Sequence, residues 1–123
     1  WLEKRAVSAG TTIIKAGDND RDVYFLADGS MSVWIRVSNN HEVRVRRMSQ
    51  GAVMGEMAIL MDVSRTADIR ADEDSTVYQL TSEKLEKLER KHPDTTARLY
   101  KFLAQNLAGT VMRSNRMLSQ TNP

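Results

Sequence analysis

The sequence predicts a mainly β fold with C-terminal helices: a jelly-roll-like β-roll followed by two α-helices. Three observations carry this prediction. Apolar side chains occupy every odd position from Met31 to Val37, the period-two pattern of a half-buried strand. Short apolar runs closed by Gly-containing turns recur as far as residue 80, as in a sandwich or roll. Beyond residue 80 the apolar spacing changes to three and four residues, the period of a helix. With 123 residues, 41% hydrophobic and 28% charged, the chain has the size and composition of one globular domain with one core. Residues 1–123 therefore read as a single domain, with the roll over 6–80 and the helices over 81–118.

In order along the chain, Thr12-Ile13-Ile14-Lys15 reads as a strand closed by Gly17-Asp18, and Val23-Tyr24-Phe25-Leu26 as a strand closed by Asp28-Gly29. Met31 to Val37 is followed by the polar cluster Ser38-Asn39-Asn40-His41 and then by Glu42-Val43-Arg44-Val45-Arg46, where alternation resumes. That is a hairpin. Met57 to Met61 is a helix-forming run of little more than one turn, and Thr66 to Ala71 and Thr76 to Leu80 complete the strands. Thr81 or Ser82 suits the N-cap of a first helix, with Glu83 in its first turn and Leu85 and Leu88 on one face. Pro93 suits the first position of a second helix, along which Leu99, Phe102, Leu103, Leu107, Val111, Met117 and Leu118 follow a rough 3.6 period.

Composition removes several functions. Cysteine is absent, which excludes disulfides, thiol catalysis and Cys-ligated zinc. The two histidines, His41 and His92, are too far apart in sequence to suggest a metal pair. No apolar run approaches the ~18 residues that span a bilayer. Residues 1–80 carry ten Lys and Arg against twelve Asp and Glu, and residues 81–123 eight against four. The basic excess is thus confined to the helical tail and interspersed with acids, the pattern of a solvated helix face; Arg44, Arg46 and Arg47 likewise read as a solvated hairpin face. No nucleic-acid partner is predicted. No nucleophile or acid–base constellation appears, so no enzyme is predicted either.

One segment carries chemistry. Met54-Gly55-Glu56-Met57-Ala58-Ile59-Leu60-Met61 breaks the alternation. Gly55 permits a positive φ and close backbone approach just before a short helix, whose first N–H groups can face an anion. Arg65 can bring a forked cation to the same anion and Thr66 a hydroxyl. Glu56 would repel a phosphate, so its place there suits hydroxyl donors. Anion plus adjacent hydroxyl is what a sugar phosphate offers. The same string also fits a capped short helix with Arg65 paired to Asp62 or Glu56 at the surface.

Gly55-Glu56-Met57-Ala58-Ile59-Leu60, four intervening residues and Arg65-Thr66-Ala67 resemble the phosphate-binding cassette, over residues 54–67, of the cyclic-nucleotide-binding domain family, which includes the bacterial catabolite activator. Ala9 to Asp18 resembles that family's opening strand and Gly-Asp turn, and Tyr24-Phe25-Leu26 with Gly29 its next strand and turn; residues 7 to 118 fit overall. The resemblance implies a site in which Arg65 pairs with the cyclic phosphate and Glu56 accepts from the ribose 2′-hydroxyl. The backbone of Gly55, Met57 and Ala58 would line the sugar and phosphate, and the hydroxyl of Thr66 would reach the phosphate and, in some members, the base. Met54 stands where an aromatic is frequent and Arg21 where the early turn often has Asp. Met48 and Met54 are candidates for the base pocket.

The implied function is a ligand-sensing regulatory module that binds cyclic AMP (cAMP) in preference to cyclic GMP (cGMP), with no further cofactor and no metal. The C-terminal helix, with Val111 to Asn115 as its capping stretch, would relay occupancy to an effector in the same polypeptide. The helix preceding the roll and the DNA-reading helices of the activators are not found in this sequence, which reads as a fragment of a longer protein. Ser75 to Thr81, Phe102 to Leu107 and Asn115 to Leu118 resemble bacterial domains of this family fused behind sulfate-permease-type anion transporters. That implies a cytoplasmic location, at the membrane's cytoplasmic face where a transporter is attached. The alternative is a β-roll that keeps the cassette but binds no nucleotide, its C-terminal helix serving as a homodimer or docking surface.

Overall fold

A computed structural model describes the backbone of residues 1–121 and the side chains of residues 1–110 and 112. Among the described residues, eight strands and three helices follow in the order β1 (Glu3–Val7), β2 (Thr12–Ile14), β3 (Val23–Asp28), β4 (Met31–Ser38), β5 (His41–Met48), β6 (Val53–Met54), α1 (Glu56–Met61), β7 (Asp68–Ala71), β8 (Ser75–Leu80), α2 (Ser82–Lys91) and α3 (Pro93–Thr121). The strands form two four-stranded sheets, ordered β1-β8-β3-β6 and β2-β7-β4-β5, and every pairing is antiparallel. The fold is the mainly β roll with C-terminal helices that the sequence predicts.

Two strands escape the sequence pattern. In β1 only Val7 is buried, so no alternation marks it, and its order comes from pairing with β8. The roll therefore starts at Glu3, ahead of residue 6. β6 is two residues long and exists through Tyr24 and Phe25 of β3. Conversely Thr66 and Ala67 stay outside β7, because the chain there turns along a cavity wall. Thr81 caps α2 by accepting from Lys84 N, and Pro93 opens α3. Among the described residues no helix is long and apolar enough to cross a membrane.

Apolar side chains from both sheets form the main core, including Ile14, Tyr24, Leu26, Met31, Met48, Met54 and Val77. A second cluster fastens the helices to the roll. In it Leu103 of α3 is fully buried with Val23 and Val53, and Leu99, Ile59 and Leu60 pack around them. Burying a leucine contributes about 2 kcal/mol. Phe102, expected on the apolar face, is instead half exposed, because the buried stripe runs through Leu99, Leu103 and Leu107. α3 thus meets the roll beside α1.

Candidate functional site

α1, the chain from residue 64 to 67, the inner face of β4–β5 and one stretch of α3 enclose a cavity of about 550 Å³. All six residues singled out in the sequence, Gly55, Glu56, Met57, Ala58, Arg65 and Thr66, line it, as do Met48, Met54, Arg46, Leu107 and Thr110. The backbone explains why Arg65 comes here. Arg65 N donates to Asp18 O and Gly17 N to Arg65 O, both at 2.8 Å, tying the β2–β3 loop to the segment after α1.

That loop brings a partner the sequence reading missed. The Arg65 guanidinium donates to both carboxylate oxygens of Asp20 (Nε to Oδ1 3.0 Å, Nη2 to Oδ2 2.7 Å), to Gly55 O at 2.9 Å and to Asp22 O at 2.6 Å. Its side chain is only 3% exposed. The expectation of an Arg65 paired with Asp62 or Glu56 at the surface is therefore corrected. Asp62 pairs instead with Arg21 at 3.1 Å, and Arg21 also donates to Val63 O at 3.0 Å. Arg21 thus anchors the end of α1 to the same loop. The hydrogen bond from Arg65 holds the Asp20 carboxyl below the usual aspartate range, against the opposing effect of burial.

Gly55 precedes α1 with φ 92°, in the left-handed region that favours glycine. A Cβ there would lie 2.7 Å from both Arg65 Nη1 and Asp22 O, so glycine is required twice over. No side chain caps the first turn of α1, and its orphan N–H groups are suited to an anion. Glu56 is 7% exposed and accepts a 3.0 Å hydrogen bond from Asn106 Nδ2 on α3. Met57 and Thr66 are exposed and Ala58 is buried. The cavity wall thus carries a guanidinium already forked onto Asp20 and, nine residues earlier, the Glu56 carboxylate.

Asn106 was not singled out in the sequence, although it lies between Leu103 and Leu107 on the buried stripe. Arg46, read as a solvated charge, lines the cavity and donates to Thr110 Oγ1 on α3 at 3.3 Å. Arg47 likewise has partners, Ser30 Oγ at 2.9 Å and the Asp72 carboxylate. Met48 and Met54 are buried at the cavity wall. Trp34 lies away from it, beneath the guanidinium of Arg70 at 5.3 Å. Of the expected capping stretch, Val111 and residues 113–115 lie outside the described side chains. Among the described residues no three His, Asp or Glu gather as a metal site would require.

A family model described as "Cyclic nucleotide-binding domain" matches residues 4–92. Glutaminase 1 of Bradyrhizobium diazoefficiens is 30% identical over 111 residues, 90% of this chain and 17% of that protein. A cAMP-dependent protein kinase regulatory subunit of Blastocladiella emersonii is 24% identical over 106 residues, 86% of this chain and 26% of that protein. The chain thus spans less than a third of either relative's length. In solved structures, a cyclic nucleotide-binding domain from Methylobacillus flagellatus superposes with a TM-score of 0.89 at 20% identity, over 100% of this chain and 70% of that one.

Proposed function

The chain belongs to the cyclic nucleotide-binding domain family, and from that premise we propose that its cavity holds cAMP and that α3 relays occupancy to an effector in the same polypeptide. The observation that carries the reading is the pairing of Arg65 and Glu56 in one 550 Å³ cavity, with anion donors and a hydroxyl acceptor on one segment. The cyclic phosphate would lie against Arg65 and the first turn of α1, and the ribose 2′-hydroxyl would donate to Glu56. Gly55, Met57 and Ala58 would present backbone to the sugar and phosphate, and Met48, Met54 and Leu107 apolar surface to the base. The module binds its ligand and performs no reaction on it.

The choice of cAMP over cGMP follows from how little Thr66 can add for guanine. A hydroxyl from Thr66 to a guanine amino group is worth about 0.5–1.5 kcal/mol, at most about tenfold, and Thr66 serves the phosphate of either nucleotide. The relatives that contain this domain within much longer chains support an effector in the same polypeptide. The anion transporter as that effector rests on the tail resemblance alone, and a homodimer on the exposure of Phe102 along α3.

One observation favours a second reading. Arg65 already gives four hydrogen bonds to protein acceptors, so the cassette forms a self-contained unit without any nucleotide. A thermal-shift titration separates the two. A ligand bound only by the folded state at 100 times its Kd adds about 2.7 kcal/mol of stability, a rise of several degrees in Tm. A rise that saturates at lower cAMP than cGMP supports the proposal. No rise with either nucleotide supports a β-roll that binds none.

A further inference from the structure

We propose that α3 reads the hydroxyl side of the bound nucleotide through Asn106, acting as a positioning residue on Glu56. The inference rests on the nucleotide reading of the cavity given above.

Leu99, Leu103, Asn106, Leu107 and Thr110 follow one another at helical spacing along a single face of α3. Leu103, fully buried against Val23 and Val53, pins this face to the roll. One turn later an amide replaces an apolar side chain, and it points at the one carboxylate lining the cavity, Asn106 Nδ2 to Glu56 Oε1 at 3.0 Å. A carboxylate only accepts, so the amide must present its nitrogen. With Glu56 at 7% exposure, water supplies little of what this charge requires, and the charge-assisted bond is correspondingly strong.

The two donors do not compete for Glu56. An ionised carboxylate has about four acceptor sites, and Asn106 uses one of them on Oε1. A ribose hydroxyl donating to the same group would restrict the carboxylate's rotation. It would thereby hold the partner oxygen where Asn106 meets it. By linkage, whatever the hydroxyl adds to the docking of α3, the docking of α3 returns to hydroxyl binding. Among the described residues, the next α3 side chains on this face offer no second amide to the cavity. Leu107 is apolar, and the Thr110 hydroxyl is already engaged, accepting from Arg46 and donating to Asn106 O at 3.2 Å.

Hydrogen exchange at the α3 amides, with binding followed in parallel by calorimetry, tests this. With saturating cAMP, exchange at residues 103–110 slows by about fivefold, the effect of roughly one hydrogen bond. Saturating 2′-deoxy-cAMP, which keeps the base and phosphate, slows it less than about twofold by the same reasoning. In Asn106→Leu the two nucleotides protect α3 alike, whereas Asn106→Gln, which keeps the amide, restores part of the difference. Equal protection by the two bound nucleotides in the parent overturns the inference and leaves the nucleotide site standing; this comparison needs no variant to fold. A parent difference that persists in Asn106→Leu removes Asn106 from the role. No heat with either nucleotide overturns the site itself, and the inference with it.

Discussion

At the Arg65 end of the cavity, four hydrogen bonds hold Arg65 to Asp20, Gly55 and Asp22, whereas at the opposite wall the bonds that join α3 to the roll include those from Asn106 to Glu56 and from Arg46 to Thr110. The first region is built from backbone carbonyls, a positive-φ glycine and a forked ion pair, and its geometry is set before any ligand arrives. A ligand meeting it loses little affinity to ordering the site. The second joins α3 to the roll through the apolar cluster around Leu103 and through polar contacts between separate elements. For the proposed sensor role, the α3 wall would have to take two arrangements, because a ligand can move an equilibrium only where two arrangements differ in affinity.

Arg65→Ala should break the comparison most severely. Cyclic nucleotide affinity should fall by about 2–4 kcal/mol, roughly 30- to 1000-fold, by calorimetric titration. Because Arg65 is buried rather than solvated, the variant should also lose about 1–3 kcal/mol of stability, measured by urea unfolding. An affinity within threefold of the parent removes Arg65 from the site. Gly55→Ala tests whether the fixed half is fixed by its backbone. The strained φ and the contact with Asp22 O should together cost about 1–3 kcal/mol in stability. A variant as stable as the parent would show that this turn yields easily.

Glu56→Gln acts where the two regions meet. It keeps the volume and weakens the charge-assisted bonds, so affinity should drop by about 1–2 kcal/mol, and most of the preference for a ribo- over a 2′-deoxy-nucleotide should go with it. An undiminished preference in competition titrations would assign Glu56 to α3 docking alone. The smallest effect belongs to Asp20. Its folded-state pKa lies below the usual aspartate value, so its contribution is fully present above about pH 4–5 and is lost as pH falls through the folded-state value. The stability difference between the parent and Asp20→Asn should therefore shrink on acidification. A difference that grows at low pH would contradict the pairing with Arg65.

The two regions were not equally legible in the sequence. Gly55, Glu56, Arg65 and Thr66 stand out because they interrupt a β pattern with residue types that suit an anion and a hydroxyl, at fixed spacing within one segment. Their partners lie elsewhere. Asp20 is 45 residues from Arg65 and Asn106 is 50 from Glu56, and no local pattern announces either contact. Burial of Arg65 could not be read for the same reason, since the shielding comes from the β2–β3 loop. The β4–β5 hairpin, the Thr81 cap and the Pro93 helix start were legible because each is a local rule. β1 and β6 were not, because both depend on a neighbouring strand. Asn106 carried one overlooked signal, an amide inside an apolar helical stripe, where an unbonded polar group is costly.

The most direct measurement is a backbone-amide NMR titration with cAMP. If the cavity is the nucleotide site, with a fixed anion end and a yielding wall, saturable shifts should concentrate at Gly55 to Ala58, at Arg65 and Thr66, and at residues 103–110. Trp34, outside the cavity beneath Arg70, should stay unmoved. The absence of saturable shifts, or shifts confined to surfaces away from Arg65 and Glu56, would contradict the account.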